Sequence, residues 1–185
     1  MYTCTSNVLT LLPPADTAFV LTASNPKLPA VHNRPITAGG LGLVIGGTTS
    51  SYCPSVVEPN CPAGNITAIV AGEGRAAMNV MVPGGQQVYL DPLWSVRYTQ
   101  AHSAYIPSGS EVGGLAAYKG GGFINLNGNG WGWVACPPTG SGGGDGVWTL
   151  VGRNESSATR LNMCTQVNLK VNPSPSGSIG AWQYT

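Results

Sequence analysis

The chain has 185 residues, 42% of them apolar and only 8% charged, with a formal net charge of +1. That length supports one domain with its own core, and nothing in it calls for two. So neutral a balance, with no basic run, excludes an electrostatic footprint for nucleic acid or an anionic membrane, and no stretch reaches the ~18 apolar residues of a spanning helix.

The apolar content is too high for a disordered chain and falls in short, spaced clusters. With so few charges the surface must be built from Ser, Thr, Asn, Gln and the 27 glycines. Such a surface resists self-association poorly, which suits a protein that is glycosylated, embedded in a matrix or assembled with its own copies. Residues 1–24 carry apolar runs but lack a basic start and are broken by Pro13-Pro14, so they do not read as a secretory leader. The expectation is a mature secreted chain from which a leader has been removed, with Met1 foreign to it.

Apolar residues recur with period two almost everywhere, and turns bearing Gly or Pro return every ~8–12 residues. The pattern predicts strands over 7–12, 17–23, 41–45, 66–71, 77–82, 86–90, 94–99, 115–119, 123–127, 131–136, 147–151, 165–171 and 179–184. No segment carries a helical stripe. The fold is therefore expected to be all-β, a single domain over 1–185, either an antiparallel sandwich or a closed barrel. The first thirty residues would form an arm that adds edge strands. Gly-Gly leads into an alternating strand at Gly39, Gly84 and Gly121, which leaves a threefold β-trefoil as the alternative. Segments 138–146 and 172–178 read as loops.

The stretch VPGGQQVYLDPLWSVRYTQAHSAYIP, residues 82–107, holds one of the two histidines, His102, with Asp91 before it and Ser103 beside it. Pro83-Gly84 suits a tight turn. Beyond it Val88 and Leu90 share one strand face and Gln87 and Tyr89 the other; Trp94, Val96 and Tyr98 then line one face of the next strand. With 77–82 this is a three-stranded meander. A catalytic triad needs its nucleophile on a strained elbow, and GxSxG is absent. The seven carboxylates, Asp16, Glu58, Glu73, Asp91, Glu111, Asp145 and Glu155, show no pairing suited to glycoside hydrolysis. Neither GxxxxGK nor GxGxxG occurs. No enzyme, cofactor or metal is expected: neutral amides such as Asn125 are poor calcium ligands, and Met78 and Met81 fall on opposite strand faces.

Five cysteines, Cys4, Cys53, Cys61, Cys136 and Cys164, form no CxxC and no zinc spacing. Two sequons, Asn65-Ile66-Thr67 and Asn154-Glu155-Ser156, sit in polar, turn-like contexts and point to N-glycosylation at Asn65 and Asn154 in an oxidising compartment. Trp131 and Trp133 alternate with glycines, so both rings share one face. They fill the core beside Cys136, or they join Trp94, Tyr98, Asn125 and Asn127 as a platform whose rings cover sugar C–H faces while the amides take hydroxyls.

PGGQQVYLDPLWSVRYTQAHSAYIPSG resembles the central block of the fungal IgE-binding or PhiA-like cell-wall proteins. VHNRPITAGGLGLVIGGTTSSYCP from Val31, GWGWVACPP from Gly130 and the late Cys164 fit the same family. The resemblance covers 31–171 and leaves out 1–30 and the tail after Val171. It implies secretion, wall association and allergen-like behaviour without catalysis. It also implies that Cys136 pairs with Cys164. Cys53 and Cys61 bracket a tight loop with a proline after each. Loops of these two lengths would stabilise the fold by about 3.6 and about 2.6 kcal/mol in the chain-entropy account. Cys4 is left over, as a terminal thiol or an intermolecular bridge, although sequence alone leaves the connectivity open. The expected function is a non-catalytic secreted glycoprotein of the fungal surface with a structural or adhesive role. The alternatives are a polysaccharide-binding module and a self-assembling extracellular subunit. The partners would be cell-wall polysaccharide or copies of the chain itself.

Overall fold

The computed structural model describes residues 17–72, 74–117, 123–125, 132–138, 146–153, 162–175 and 179–185. These residues are all-β. The strands are β1 (Phe19–Ser24), β2 (Ile36–Gly39), β3 (Gly42–Ile45), β4 (Ser51–Tyr52), β5 (Ile69–Gly72), β6 (Arg75–Met78) and β7 (Gln86–Leu90). They continue with β8 (Val96–Tyr98), β9 (Leu115–Ala117), β10 (Phe123–Asn125), β11 (Gly132–Cys136), β12 (Trp148–Arg153), β13 (Thr165–Pro173) and β14 (Gln183–Tyr184).

One antiparallel sheet carries ten of them, in the order β12-β11-β13-β1-β5-β6-β7-β8-β3-β2. β3 closes it. One side of β3 pairs with β2 along its whole length. Its other side is shared, with β12 on Val44 and Ile45 and β8 on Gly42. The hydrogen-bonded circuit therefore returns to its start, and a closed sheet has few edges to protect. Two strands turn the corners. The first three residues of β13 pair with β11 and the next six with β1. Gln86 and Gln87 of β7 face β6, and its last three residues face β8. Strands that pass between two sheet halves in this way make the bends of orthogonal packings. The order does not repeat in thirds, so the trefoil alternative gives way to a barrel-like closed sheet.

Period-two patterning drives the closure. Phe19, Leu21 and Ala23 of β1 are buried, as are Leu169 of β13, which pairs with Ala23, and Val167, which pairs with Trp133 of β11, while Asn168 and Lys170 are exposed. This corrects the expected edge position of the N-terminal strand. β1 lies between β13 and β5, because its apolar face is too complete to leave at an edge. The strand expected over 7–12 lies outside the described residues. β2 and β4 were not foreseen. The strand expected over 77–82 sits earlier, as β6, and Val80 instead bridges Ala181 in parallel. The 82–107 stretch does form the expected meander, β6-β7-β8.

Two disulfides are present. Cys53–Cys61 closes the loop after β4. Cys136–Cys164 joins the end of β11 to the residue before β13, next to the Ala135↔Thr165 pair. Cys4 lies outside the described residues.

The C-terminal tail lies inside the fold rather than on it. Tyr184 is buried, and its ring meets the equally buried Tyr98 edge-on at 6.4 Å. Residues 180–182 bond to the backbone of 79–82 and β14 pairs with β4, while side chains supply the partners of the Tyr184 backbone on its other side. The Gln86 side chain is buried and acts as a peptide group: its Oε1 accepts the Tyr184 N–H at 2.8 Å, and its Nε2 donates to the Tyr184 carbonyl at 3.0 Å. The same Nε2 donates to the Thr99 carbonyl at 2.9 Å. Tyr184 Oη donates to the Ile66 carbonyl at 2.7 Å and accepts the Ala68 N–H at 2.9 Å. Tyr98 Oη donates to the Thr185 carbonyl at 3.0 Å.

Replacing Gln86 by Leu strands the Tyr184 N–H and carbonyl in an apolar site, at about 1–3 kcal/mol for each unsatisfied group. Gln86→Leu is therefore expected to lower unfolding stability by about 3 kcal/mol in urea titration, and a loss under about 1 kcal/mol would refute the clamp. Desolvation pushes both tyrosines up, Tyr184 to about 12. Since the neutral phenol is the form the fold prefers, this stability is complete below the ordinary tyrosine pKa near 10 and is lost as pH rises toward 12. Absorbance at 295 nm should show these two phenols ionising only as the protein unfolds; their early ionisation with the fold intact would contradict the burial.

Candidate functional site

The 82–107 stretch closes on itself around an open cleft. At its start Val82 turns into β7, with the Gly85 N–H donating to the Val82 carbonyl at 3.0 Å. Gly84 and Gly85 both take left-handed backbone, φ 86° and 64°. A Cβ on either would touch nothing within 4 Å, so the conformation and not the space calls for glycine. Gln86 turns inward. Gln87 lies beside the cleft, its Nε2 donating to the Ala76 carbonyl at 2.7 Å and that of Val88 at 3.1 Å.

Asp91 makes the turn between β7 and β8. Its Oδ1 accepts the N–H of Leu93 at 2.8 Å and of Ser95 at 2.9 Å, and its Oδ2 lies 3.6 Å from Arg97 Nε. A carboxylate so engaged shapes a turn and is not free to orient an imidazole. Trp94 follows with φ 67° and packs half-buried against the core, its carbonyl accepting the Gly152 N–H at 2.7 Å. The left-handed residue breaks the alternation expected over 94–99, and β8 begins only at Val96.

At the end of β8, Thr99 and Gln87 are locked face to face. The Thr99 N–H donates to the Gln87 carbonyl and the Gln87 N–H to Thr99 Oγ1, both at 2.9 Å. The chain then turns, Ser103 N–H donating to the Gln100 carbonyl at 3.1 Å, with His102 at φ 62°. Ser103 Oγ accepts the Tyr105 N–H at 3.2 Å. The β7-β8 pairing thus brings Gly84 and Gly85 opposite His102, Ser103, Ala104 and Ile106, around a cleft of about 460 Å³. Its walls combine glycine backbone, an amide, two hydroxyls and one imidazole with the apolar side chains of Ala104 and Ile106. They can hydrogen-bond a neutral, hydroxylated partner. Tyr105, 75% exposed, stands in the same segment.

Of the aromatic platform that the sequence allows as the alternative to core packing, two members turn inward. Tyr98 and Trp133 are core residues, 0% and 5% exposed, because their strand faces point into the closed sheet. Trp94 presents only part of its ring. Asn125 ends β10, its side chain beyond the description, and Trp131, Asn127 and Asn154 lie outside the described residues. Asn65 is exposed in the loop before β5 and lines a second groove of about 300 Å³ with Thr22, Pro35, Thr37 and Thr49. The cleft itself was missed. Its signal was the paired glycines and the polar run after β8, which read as two separate turns until the hairpin joins them. Among the described residues, no cluster of His, Cys, Asp and Glu could hold a metal ion.

Residues 19–185 match the model of a family described as PhiA-like secreted protein. The match reaches past the 31–171 resemblance at both ends and takes in β1 and the buried tail. An uncharacterized secreted protein of Arthroderma benhamiae is 47% identical over 107 residues, 58% of this chain and 52% of that protein. The chain spans about half the length of that curated relative. No solved structure matches it.

His102 tests the cleft's backbone. A β-branched residue in left-handed backbone costs about 1–2 kcal/mol. His102→Val is expected to melt lower by that amount, and His102→Gly to stay within about 1 kcal/mol of the parent. Equal melting of the two variants would contradict the turn geometry.

Proposed function

The chain belongs to the PhiA-like secreted protein family, and from that premise we propose that it is a non-catalytic structural or adhesive glycoprotein of the fungal cell surface. The protein is secreted. The observation that carries the reading is the chemistry of the cleft that the 82–107 stretch builds. Its walls offer backbone, hydroxyl and amide groups with one imidazole beside the apolar Ala104 and Ile106, and Asp91, at the far end of the β7-β8 hairpin, is held by its own turn. Such a surface suits many weak, neutral hydrogen bonds to a hydrated matrix better than proton transfer, which needs a positioned acid or base at the reacting atom. The closed sheet and two disulfides give it the rigidity a wall component needs outside the cell. The IgE binding that the resemblance implies would fall on rigid exposed loops such as 53–61, where Val56 is 89% exposed.

A second reading takes the cleft as a polysaccharide site, favoured by the exposed Tyr105 ring beside it. This replaces the tryptophan platform with a neutral cleft and one tyrosine.

The first reading is tested by fractionation. A tagged copy expressed in a filamentous fungus is expected to stay with washed cell walls and to be released by hot detergent. Recovery only from the medium would overturn it. For the second, the folded protein is mixed with insoluble chitin, β-1,3-glucan and α-glucan. Saturable retention on one polymer, lost in Tyr105→Ala, would establish carbohydrate binding; no retention on any would remove it for these polymers.

A further inference from the structure

The sequon Asn65-Ile66-Thr67 is open at one end and closed at the other. Asn65 is exposed, but Thr67 is 4% exposed. Thr67 Oγ1 accepts the N–H of Ala38 in β2 at 2.8 Å and lies 2.9 Å from Thr49 Oγ1. On either side of it the backbone is engaged by the tail: Tyr184 Oη takes the Ile66 carbonyl and the Ala68 N–H. Three elements distant in sequence therefore meet on this tripeptide: β2, the loop after β3, and the C-terminal tail.

N-glycosylation needs that same hydroxyl. A transferase recognises the sequon through its Ser or Thr while the Asn amide nitrogen attacks C1 of a lipid-diphosphate-linked oligosaccharide. The C–N bond forms, the C1–O bond to the diphosphate breaks, the lipid diphosphate leaves with the electron pair, and the amide proton passes to base. A Thr67 hydroxyl buried against β2 cannot be read. The asparagine is exposed where the threonine is buried, at an open groove that both line beside Pro35, Thr37 and Thr49, so a glycan already in place would leave the surface without displacing the core.

We propose that Asn65 carries an N-linked glycan that is attached before β2 and the C-terminal tail close over the sequon, and that the folded protein then uses the Thr67 hydroxyl as a structural hydrogen-bonding group. One hydroxyl serves both steps in turn. The proposal requires secretion through a glycosylating compartment and does not depend on the wall role.

The test has two arms. Protein secreted from a yeast or filamentous host is digested and the Asn65 peptide weighed before and after enzymatic glycan release. Occupancy is expected in the parent and in Thr67→Ser, and none in Asn65→Gln or Thr67→Val. In the second arm, glycan-free protein made in bacteria and folded with its disulfides is offered to oligosaccharyltransferase with its lipid-linked donor, beside the same protein reduced and unfolded. The unfolded chain is expected to accept the glycan at Asn65 and the folded one to react at least ~10-fold more slowly, limited by local opening. In the same glycan-free material, Asn65→Gln should melt with the parent and Thr67→Val below it. An unmodified Asn65 in the secreted protein, equal rates for folded and unfolded acceptors, or parental melting of Thr67→Val would each overturn the proposal.

Discussion

The structure depends on one buried amide. Gln86 stands where β7 leaves its glycine turn, and its side chain completes both backbone groups of Tyr184 while holding the Thr99 carbonyl. A glutamine is costly to bury unless every polar atom is paired. Here both ends of the amide are used, so a residue that would otherwise destabilise the core becomes the connection between the meander and the tail. An apolar residue of similar size would fill the space and leave the tail without a partner.

The consequences spread through Tyr184. Its ring fills the core against Tyr98, and its hydroxyl fixes the two peptide groups around Thr67. The tail also pairs with β4 through Gln183↔Tyr52, beside the Cys53–Cys61 loop, and its last carbonyl accepts from Gly40 and from Tyr98. One segment thus joins the cleft-forming hairpin, the sequon loop and the disulfide loop. The side chains in these bonds are all neutral. A chain with 8% charged residues has to organise itself in this way, through neutral hydrogen bonds in a low-dielectric interior, where each bond is strong and each omission costly. Its stability is then set by buried phenols and amides rather than surface ion pairs such as Asp91–Arg97, which contribute little.

Much of this was legible because period-two patterning is local. Phe19, Leu21 and Ala23, or Val167 and Leu169, announce a strand with one buried face without knowledge of its neighbours. What was not legible was long-range. Ile36–Gly39 reads as a lead-in to Gly-Gly, yet it is a strand because β3 folds back on it. Ser51–Tyr52 is too short to show any period and exists only because Gln183 and Tyr184 lie against it. Tyr98 and Trp133 read as core residues with a glycan platform as the alternative, and the structure turns both inward; alternation tells which residues share a face but not which face closes inward. The left-handed Trp94 and His102 carry no sequence signal at all, as neither is glycine. Gln86 is the sharpest case: a polar residue at an alternating position gives no hint of burial until its partner, 98 residues away, is in place.

The central claim is that the tail is part of the core and not a strand laid against it. Native-state hydrogen exchange of the Tyr184 and Ala68 amides tests it most directly, since one donates to Gln86 and the other to the Tyr184 hydroxyl. The account predicts that both exchange only through global unfolding, at the same opening free energy as amides of β1 and β13. Exchange of either amide at a markedly lower free energy, with β1 and β13 still protected, would show that the tail opens by itself and would contradict it.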